Sequence, residues 1–466
     1  MSSLLLPTLL IVTLGACDNR QEQAQAAYAQ YQAASVNGDL REARRALVAL
    51  VAADDSNAAY WIELAKVSLQ LTDYSGAYDA FQRAHELDRG NVEVLTAMTQ
   101  LALRSGNLEL AAENAKQLEL VAPSDPAVPL TNGYVALRRG DFAEAERQVA
   151  ALAAISPYDG SGKVLQSRIL MAQDKADEAV SLLRRQIEQQ PSDAESLRAL
   201  ASIYELREQW REAASVLQLY LGYVANDAAA RVRLVEAELR SQQVEPAATA
   251  TLAGVAKEDV DNLLLPWLET GKQDLIAPRL FAWARTADVG RRIAVSRFLA
   301  STSQPARVLE LLSGEASLPV KAANVIPNAL YGAALVQAGR EQEGSARLDA
   351  VLKIDGTNRE ALRARALLRS GKGNHKQAIE DAQKLVAADQ EVASSRLLLA
   401  RIYAAAGDPD NMRRTLWDGF HQVSDNRAIF DALMPLVAKS DGPQAAERLS
   451  QEFYDKRSER LTRSFA

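Results

Sequence analysis

Few combinations of residues in this chain have the types and spacing that chemistry requires. The run Gly160-Ser161-Gly162-Lys163 has the glycines and the lysine of a phosphate-binding loop. Such a loop also needs a glycine five residues before Gly162 and a hydroxyl residue after the lysine, where the sequence has Pro157 and Val164. No strand is predicted before the run. We therefore expect a turn between helical units here, and no nucleotide site.

Metal, thiol and carboxylate chemistry have no better support. The three histidines, His85, His375 and His421, have no ligand partners at helical spacing, so we expect no metal site. Paired acids such as Asp54 and Asp55 fall at expected helix ends, where capping or solvation accounts for them. These residues predict a protein that is not an enzyme and has no cofactor. The enzymatic alternative is an active site hidden in the irregular segment 248–320, where no polar constellation is visible.

The only cysteine, Cys17, follows an uncharged apolar run from Leu4 to Leu14. The run is too short to span a bilayer but has the length of a signal-peptide core. Leu14-Gly15-Ala16-Cys17 resembles the lipobox of bacterial lipoproteins, although no Lys or Arg precedes the apolar run. The resemblance implies cleavage before Cys17, acylation of Cys17 and a lipid anchor. Asp18 resembles the signal that retains such lipoproteins in the inner membrane, facing the periplasm. The alternative is an ordinary signal peptide with an incidental cysteine.

Composition narrows the function classes. The chain has 466 residues, a formal net charge of −7 and 48% hydrophobic residues, which is not the composition of a disordered protein. An acidic chain lacks the basic surface that nucleic-acid binding requires, so we expect no nucleic-acid partner. Its charge also gives little attraction to an anionic membrane, and membrane attachment must therefore come from another device.

One pattern recurs through the chain at intervals of 34 residues. A turn position is taken in successive units by Asp39, Asp73, Asn107, Asp141, Lys175, Gln209 and Gln243. A small residue follows four positions later at Ala43, Ala77, Ala111, Ala145, Ala179, Ala213 and Ala247, and again at Gly344, Ala378 and Ala446. Small side chains let two helices cross closely. Because one helical hairpin cannot bury its own apolar face, the pattern predicts a stack of such hairpins.

This 34-residue period of helix, turn and helix resembles the tetratricopeptide repeat. Signature positions of that family are occupied in the clearest unit by Trp61, Leu64, Ala65, Ala77, Phe81 and Ala84, and in other units by Gly133, Tyr204, Pro123, Pro157 and Pro191. The resemblance implies an all-α solenoid, a superhelix of about a dozen hairpins.

The predicted organisation has five parts. Residues 1–16 are a lipoprotein signal peptide and residues 17–25 a polar, lipid-anchored tether. Residues 26–257 form an N-terminal array, and residues 321–466 form a C-terminal array with a charged capping helix. Between them, residues 258–320 contain irregular repeats that lose the 34-residue phase. Since Ala247 and Gly344 are 97 residues apart, this middle is five residues shorter than three full repeats.

The resemblance also implies where partners bind, because first helices line the concave side in this family. The corresponding residues are Lys66, Gln70, Gln100, Arg104, Tyr134, Leu137, Arg138, Arg168, Met171, Arg198 and Arg240. Many are basic, which favours an acidic or C-terminal peptide segment bound through guanidinium contacts. The alternative is that the arginine stems only cover apolar helix surface.

The sequence thus predicts a non-catalytic, periplasm-facing lipoprotein scaffold. It would bind protein partners of a cell-envelope assembly or secretion system, and exopolysaccharide export is the first system to test. The alternative function is a binding module for an anionic polysaccharide, or another non-protein ligand, along the basic groove; salt dependence would favour it. The expected partners are proteins and, through the lipid, a membrane.

Overall fold

The computed structural model describes residues 11–464 apart from residues 72, 158, 256–259, 303, 389–391 and 424–426, with side chains described from residue 20 to residue 453. Every regular element in this part of the chain is helical, and the fold is all-α as the sequence predicts: 27 α-helices and one 3₁₀ helix. Consecutive helices pair into about 13 hairpins, in agreement with the predicted dozen. The chain divides into two compact units, one ending at Ala199 and the other beginning at Leu200.

The helices of the first unit are mostly 12 to 14 residues long. They are α1 (Ile11–Val36), α2 (Leu40–Ala53), α3 (Ala58–Gln70), α4 (Tyr74–Leu87), α5 (Val92–Arg104), α6 (Leu108–Val121), α7 (Ala127–Arg138), α8 (Phe142–Ile155), α9 (Gly160–Ala172) and α10 (Ala176–Gln189), followed by α11 (Ala194–Leu206), within which the division falls.

The second unit contains both regular and short helices. They are α12 (Trp210–Tyr223), α13 (Ala228–Arg240), α14 (Val244–Gly254), α15 (Val260–Glu269), α16 (Gln273–Ala284), α17 (Val289–Leu299), α18 (Pro305–Leu311), α19 (Ser313–Ala316), the 3₁₀ helix (Ala322–Asn324), α20 (Val325–Gln337), α21 (Glu341–Ile354), α22 (Arg359–Gly371), α23 (His375–Ala388), α24 (Ala393–Ala405), α25 (Pro409–Gln422), α26 (Arg427–Ser440) and α27 (Pro443–Ser464).

The turn position inside each hairpin is the residue that starts the second helix. Four of these residues accept a hydrogen bond from the backbone N–H three residues later, namely Asp39, Asp73, Asn107 and Asp141. Each such bond satisfies an otherwise unpaired donor and stabilises the helix start by about 1 kcal/mol. Three others take the same position without a side-chain capping bond, namely Lys175, Gln209 and Gln243.

A second column of capping residues, which we did not predict, starts the first helices. Backbone N–H groups in the first turn of α3, α5, α9 and α13 donate to Asn57, Asn91, Asp159 and Asp227. These four residues lie at multiples of 34 from one another, so the signal was present in the sequence. Residues 160–163 are accordingly the first turn of α9. Our expectation of a turn between units was wrong there, because the cap at Asp159 starts the helix at residue 160.

In most of the hairpins where the structure describes it, the residue before the turn position has a left-handed backbone conformation. Most hairpins have glycine there, but Asp174, Glu208 and Gln242 have φ angles of 59°, 56° and 65°. This conformation costs an L-residue about 1–2 kcal/mol. We therefore expect Glu208→Gly to raise the free energy of unfolding by roughly 0.5–1 kcal/mol, once the greater freedom of glycine in the unfolded chain is subtracted. Thermal unfolding followed by circular dichroism measures the change.

The reverse substitution at an equivalent turn is the matched control. Gly140 has a φ of 75°, and a Cβ built there meets no atom within 4 Å, so only the backbone conformation opposes a side chain. Gly140→Glu should therefore lower the melting temperature. Equal melting temperatures for both variants and the wild type would show that these turns carry no strain.

The small-residue column lies at the contact between the two helices of each hairpin. Ala43, Ala77, Ala111, Ala145, Ala179, Ala213 and Ala247 are each at most 1% exposed, as is Ala378, and Ala446 is 9% exposed. At Gly344 the helices are closer still, because a Cβ there would lie 2.7 Å from the carbonyl oxygen of Gly332. The column therefore sets the distance at which α20 crosses α21 and at which the alanine-bearing helices pack.

The irregular middle keeps the hairpin plan with shorter helices. The residues preceding its second helices, Gln243, Lys272, Gln304 and Arg340, are separated by 29, 32 and 36 residues. The phase is lost chiefly between the first two, because α14 has 11 residues and α15 only 10. One buried cluster joins this region around Trp267, whose indole N–H donates to the Thr251 hydroxyl at 2.9 Å.

Both ends of the described part of the chain are helical. α1 runs without a break through residues 17–25, the segment for which the sequence predicts a polar tether. The side chains of Cys17 and Asp18 lie outside the described part of the chain, as do residues 1–10 of the predicted signal peptide. At the other end, α27 packs on α26, and the rings of Phe430 and Phe453 stack with centroids 4.3 Å apart.

Candidate partner-binding face

The candidate site is a surface formed by the first helices of the hairpins in the first unit. Helices α5, α7 and α9 contact one another in sequence. The predicted residues of this unit lie on these helices and on α3 and α11, and we call them the first-helix face: Lys66, Gln70, Gln100, Arg104, Tyr134, Leu137, Arg138, Arg168, Met171 and Arg198. Because the repeat is 34 residues long, Gln70, Arg104 and Arg138 take the same place in three successive hairpins.

Exposure differs along the first-helix face. The exposed side chains are those of Gln70, Gln100, Arg104, Arg138 and Arg198. The half-buried ones are those of Lys66, Tyr134, Leu137, Arg168 and Met171. The exposed set is therefore polar, whereas the two apolar residues, Leu137 and Met171, are half-buried.

Lys66 is already engaged by carboxylates. Its ammonium group lies 2.8 Å from Glu93 and 3.5 Å from Glu63. The hydrogen bond with Glu93 raises the pKa of Lys66, so the lysine stays charged but is locally neutralised. We did not predict these acidic neighbours. Glu93 lies in the first turn of α5, two positions after the capping residue Asn91.

Arg104 is held by an aromatic ring of the preceding hairpin. Its guanidinium group donates to the Tyr74 hydroxyl at 2.7 Å and lies 4.2 Å from the centre of the Tyr74 ring. A cation over a tyrosine face gains about 0.5–1 kcal/mol at an exposed site. No carboxylate of the described part of the chain pairs with Arg104 or with Arg138. Both guanidinium groups thus remain available to an external acid.

Tyr134, Arg168 and Glu195 lie together. The Arg168 guanidinium is 5.0 Å from the centre of the Tyr134 ring, and burial raises the pKa of the Tyr134 hydroxyl. Burial also raises the pKa of Glu195; the charges of Asp159 and Asp193 add to the effect, and those of Arg198 and Arg168 oppose it. Glu195 was not predicted as a member of this face.

Arg240 belongs to the second unit, where it repeats the arrangement of Arg104. Its guanidinium lies 4.8 Å from the centre of the Trp210 ring and 2.8 Å from Glu236. In both units the aromatic residue begins a second helix, and the arginine ends the next first helix 30 residues later. This 30-residue pairing is visible in the sequence, but the 34-residue columns do not contain it.

The exposed arginines of the face can recognise ligands by charge. Within the part of the chain that the structure describes, no group of three or more His, Cys, Asp or Glu side chains is placed to hold a metal ion. Nor is any described helix long and apolar enough to cross a membrane. Paired helices stacked as repeated hairpins, with an exposed polar face, define a helical-repeat scaffold.

Comparison with known families names the class of repeat. The sequence matches the tetratricopeptide repeat family over residues 28–92, 96–160, 164–229 and 362–411, which together are just over half of the chain. The chain therefore belongs to the tetratricopeptide repeat family. Such scaffolds mediate protein–protein interactions and are typically non-catalytic, and no catalytic family matches the sequence. Comparison with curated proteins finds no match.

The solved structures that match the chain include bacterial repeat proteins. A tetratricopeptide repeat protein from Parabacteroides merdae is 16% identical to this chain, with a TM-score of 0.40; the match covers 53% of this chain and 99% of that protein. A thermophilic repeat protein from Thermus thermophilus is 22% identical, with a TM-score of 0.35, covering 39% of this chain and 100% of its own. PilW, a type IV pilus biogenesis factor, is 17% identical, with a TM-score of 0.33, covering 43% of this chain and 93% of its own.

Proposed function

We propose that the first-helix face binds an extended acidic segment of a partner protein, and that the chain is a lipid-anchored, periplasm-facing scaffold of a cell-envelope assembly or secretion system. The observation that carries the binding proposal is the pair Arg104 and Arg138. They take the same place on neighbouring first helices, both are exposed, and no described carboxylate compensates either charge.

The neighbours of these arginines favour a carboxylate ligand. The Tyr74 ring holds the Arg104 guanidinium, so less side-chain freedom is lost when a ligand binds. A guanidinium group presents a planar fork that matches a carboxylate with two parallel hydrogen bonds. Two such groups in one row suit acidic side chains, or an acidic residue and a C-terminal carboxylate, on an extended chain.

Substitution of both arginines tests this proposal. With an oligoglutamate peptide as the probe, Arg104→Gln combined with Arg138→Gln should weaken binding roughly tenfold or more, since charge-assisted hydrogen bonds contribute about 1.5–3 kcal/mol each. Fluorescence anisotropy at low and at physiological ionic strength measures the affinity.

The matched control removes the same charge from second helices of the same unit. Arg83 in α4 and Arg147 in α8 are both strongly exposed, and each pairs only with a glutamate three residues away among the described residues. Arg83→Gln combined with Arg147→Gln should leave binding nearly unchanged. An equal loss in the two double variants would reduce the effect to net charge and remove the assignment of the face.

The polysaccharide alternative lacks a supporting observation. A polyanion would need a continuous row of uncompensated cations. Within the first unit, carboxylates instead lie beside Lys66 and Arg168, at Glu93 and Glu195. A protein segment with few acidic residues fits this interrupted row better than a uniformly charged chain.

The proposed cellular location rests on two features of the sequence. The motif Leu14-Gly15-Ala16-Cys17 favours a lipid anchor, and Asp18 favours the inner membrane. We expect Cys17→Ser to abolish acylation and to shift the protein out of the membrane fraction, or to leave it unprocessed. Fractionation with immunoblotting measures this, and Ser35→Ala serves as the control. Membrane association that does not depend on Cys17 would overturn the lipoprotein proposal and leave the cellular location of the repeat scaffold unassigned. Exopolysaccharide export remains the first pathway that we propose to test in a deletion strain.

A further inference from the structure

A cavity lies at the N-terminal end of the first unit and includes none of the residues of the first-helix face. It has a volume of about 390 Å³. One side of α1, the end of α2 and the start of α3 form its wall, which includes Arg20, Tyr28, Asp54 and Tyr60. Two aromatic rings, one carboxylate and one guanidinium group therefore converge on one space.

The two tyrosines form adjoining walls of this cavity. The Tyr28 and Tyr60 rings have centroids 5.9 Å apart and an interplanar angle of 39°. Tyr31 packs beside Tyr28, with centroids 6.1 Å apart, and its hydroxyl donates to the Glu63 carboxylate at 2.6 Å. Although Tyr28 is thus supported by a second ring, it remains 41% exposed. Tilted aromatic walls with ring surface free are the means by which proteins hold alkylammonium groups.

The charged groups of the cavity have capacity left for a ligand. Asp54 is fixed, since its Oδ1 accepts from the Ser56 backbone N–H at 3.1 Å and from the Ser56 hydroxyl at 2.7 Å. No described donor reaches its Oδ2, and no described carboxylate pairs with the exposed Arg20. The cavity therefore has a site for a cation beside the tyrosines and a site for an anion at Arg20.

We propose that this cavity binds an alkylammonium phosphate zwitterion of the phosphocholine or phosphoethanolamine class. The ammonium group lies against Tyr28 and Tyr60 beside Asp54, where ring faces and carboxylate both favour a cation. The phosphate accepts hydrogen bonds from Arg20, whose fork matches phosphate oxygens. A simple cation would leave Arg20 unused, and a simple anion would face Asp54, so the zwitterion fits the wall best.

Such a zwitterion has two sources, a lipid headgroup and a free metabolite. α1 is continuous from Cys17 to Arg20, a rise of about 4.5 Å along the helix. An acylated Cys17 would hold the cavity at the bilayer surface, within reach of headgroups. This source, unlike the site itself, rests on the lipid anchor proposed above.

Isothermal titration calorimetry of the full chain with the Cys17→Ser substitution tests the site, with phosphocholine, choline and inorganic phosphate as separate probes. Phosphocholine should bind saturably at one site and more tightly than choline or phosphate. Tyr28→Leu keeps an apolar side chain without the ring face and should weaken phosphocholine binding about fivefold or more. Arg20→Gln should abolish the preference for phosphocholine over choline.

Controls separate this site from the first-helix face. Tyr223 is 49% exposed and belongs to the second unit, so Tyr223→Leu should leave phosphocholine binding unchanged. Tyr28→Leu should leave oligoglutamate binding unchanged, so either proposal can fail without the other. Competition by phosphatidylcholine vesicles assigns the lipid source, and its absence assigns a free ligand; both results support the site.

Three results would overturn the proposal. The first is the absence of saturable phosphocholine binding to a chain with native circular dichroism. The second is unchanged affinity in Tyr28→Leu. The third is tighter binding of N-acetyl-lysine methylamide than of phosphocholine, which would make the cavity a site for a lysine side chain of a protein.

Discussion

Replacing Asp381 by alanine is expected to destabilise the helix pair α22–α23 by roughly 2–4 kcal/mol, since it removes the buried carboxylate that two partly buried arginines share. The Asp381 side chain is only 2% exposed and accepts two hydrogen bonds from Arg365, at 2.9 and 2.7 Å, and one from Arg369 at 2.7 Å. Arg365 also pairs with Asp349 at 2.7 Å. Although burial opposes its charge, hydrogen bonds with Asp381 and Asp349 raise the pKa of Arg365.

The two arginines of this cluster take positions that hold apolar or aromatic residues in the neighbouring hairpins, whereas Asp381 corresponds to Arg347 and Thr415. The residues 34 positions before and after Arg369 are Leu335 and Tyr403, which are 2% and 8% exposed. Apolar replacements of the two arginines should therefore fit, and without their charges a carboxylate at position 381 is no longer needed as a counter-charge. We expect the triple variant Arg365→Leu, Arg369→Leu, Asp381→Leu to be much more stable than Asp381→Ala, and close to the wild type.

Amide hydrogen exchange measures the local stability of α22 and α23 in both variants. It is preferred because a repeat array opens locally, whereas a single global melting temperature averages over its hairpins. Protection in α22 and α23 should fall in Asp381→Ala and return in the triple variant. Full protection in Asp381→Ala would mean that the two arginines find other acceptors. Lost protection in the triple variant would mean that the charges themselves are needed for packing.

Gly344→Ala should lower stability by roughly 1–3 kcal/mol, although alanine is the better helix former. A Cβ at Gly344 would lie 2.6 Å from Cγ2 of Val336, 2.7 Å from the Gly332 carbonyl oxygen and 2.9 Å from the Val336 backbone nitrogen. Two of these atoms belong to the backbone of α20, so the methyl group is accommodated only if α20 and α21 move apart. That movement disturbs the packing of Leu348, which is fully buried in the same hairpin.

The control for Gly344→Ala is a helical glycine with space around it. A Cβ built at Gly222 in α12 meets no atom within 4 Å. Gly222→Ala should raise the melting temperature, in line with a helix-propensity gain of about 0.5–1 kcal/mol. Thermal unfolding of the two variants in parallel measures the difference. Stabilisation by both substitutions would show that close crossing does not limit the residue at Gly344.

The sequence reveals the repeats better than the interactions between them. The columns containing Asp73 and Ala77 predict hairpins and their turns because capping and close helix crossing act within about ten residues of the chain. The shortened hairpin around Trp267 breaks the column, since deletions in α14 and α15 change the phase but keep the plan. Periodicity locates helices whatever their length, but it fixes their register only where that length is constant.

The composition of the first-helix face is less predictable, because a side chain's partner there sits one repeat away. The sequence predicts Lys66 as a residue of the face, but not that Glu93 of the next hairpin neutralises it. The sequence also predicts Arg104 as a residue of the face, but it does not reveal that the Tyr74 ring of the preceding hairpin holds the Arg104 guanidinium group. Such pairs depend on how far one hairpin is displaced on the next, which a 34-residue column does not encode.

Photo-crosslinking in cells tests the central claim, protein capture by the first-helix face, most directly. A photoreactive amino acid replaces Gln100 on the first helix α5 or, as the matched control, Gln82 on the second helix α4; both side chains are exposed. We predict a discrete protein adduct from position 100, absent from position 82 and lost when Arg104 and Arg138 are both changed to glutamine. Identical adducts from the two positions, or an adduct from position 100 that persists without the arginines, would contradict the claim.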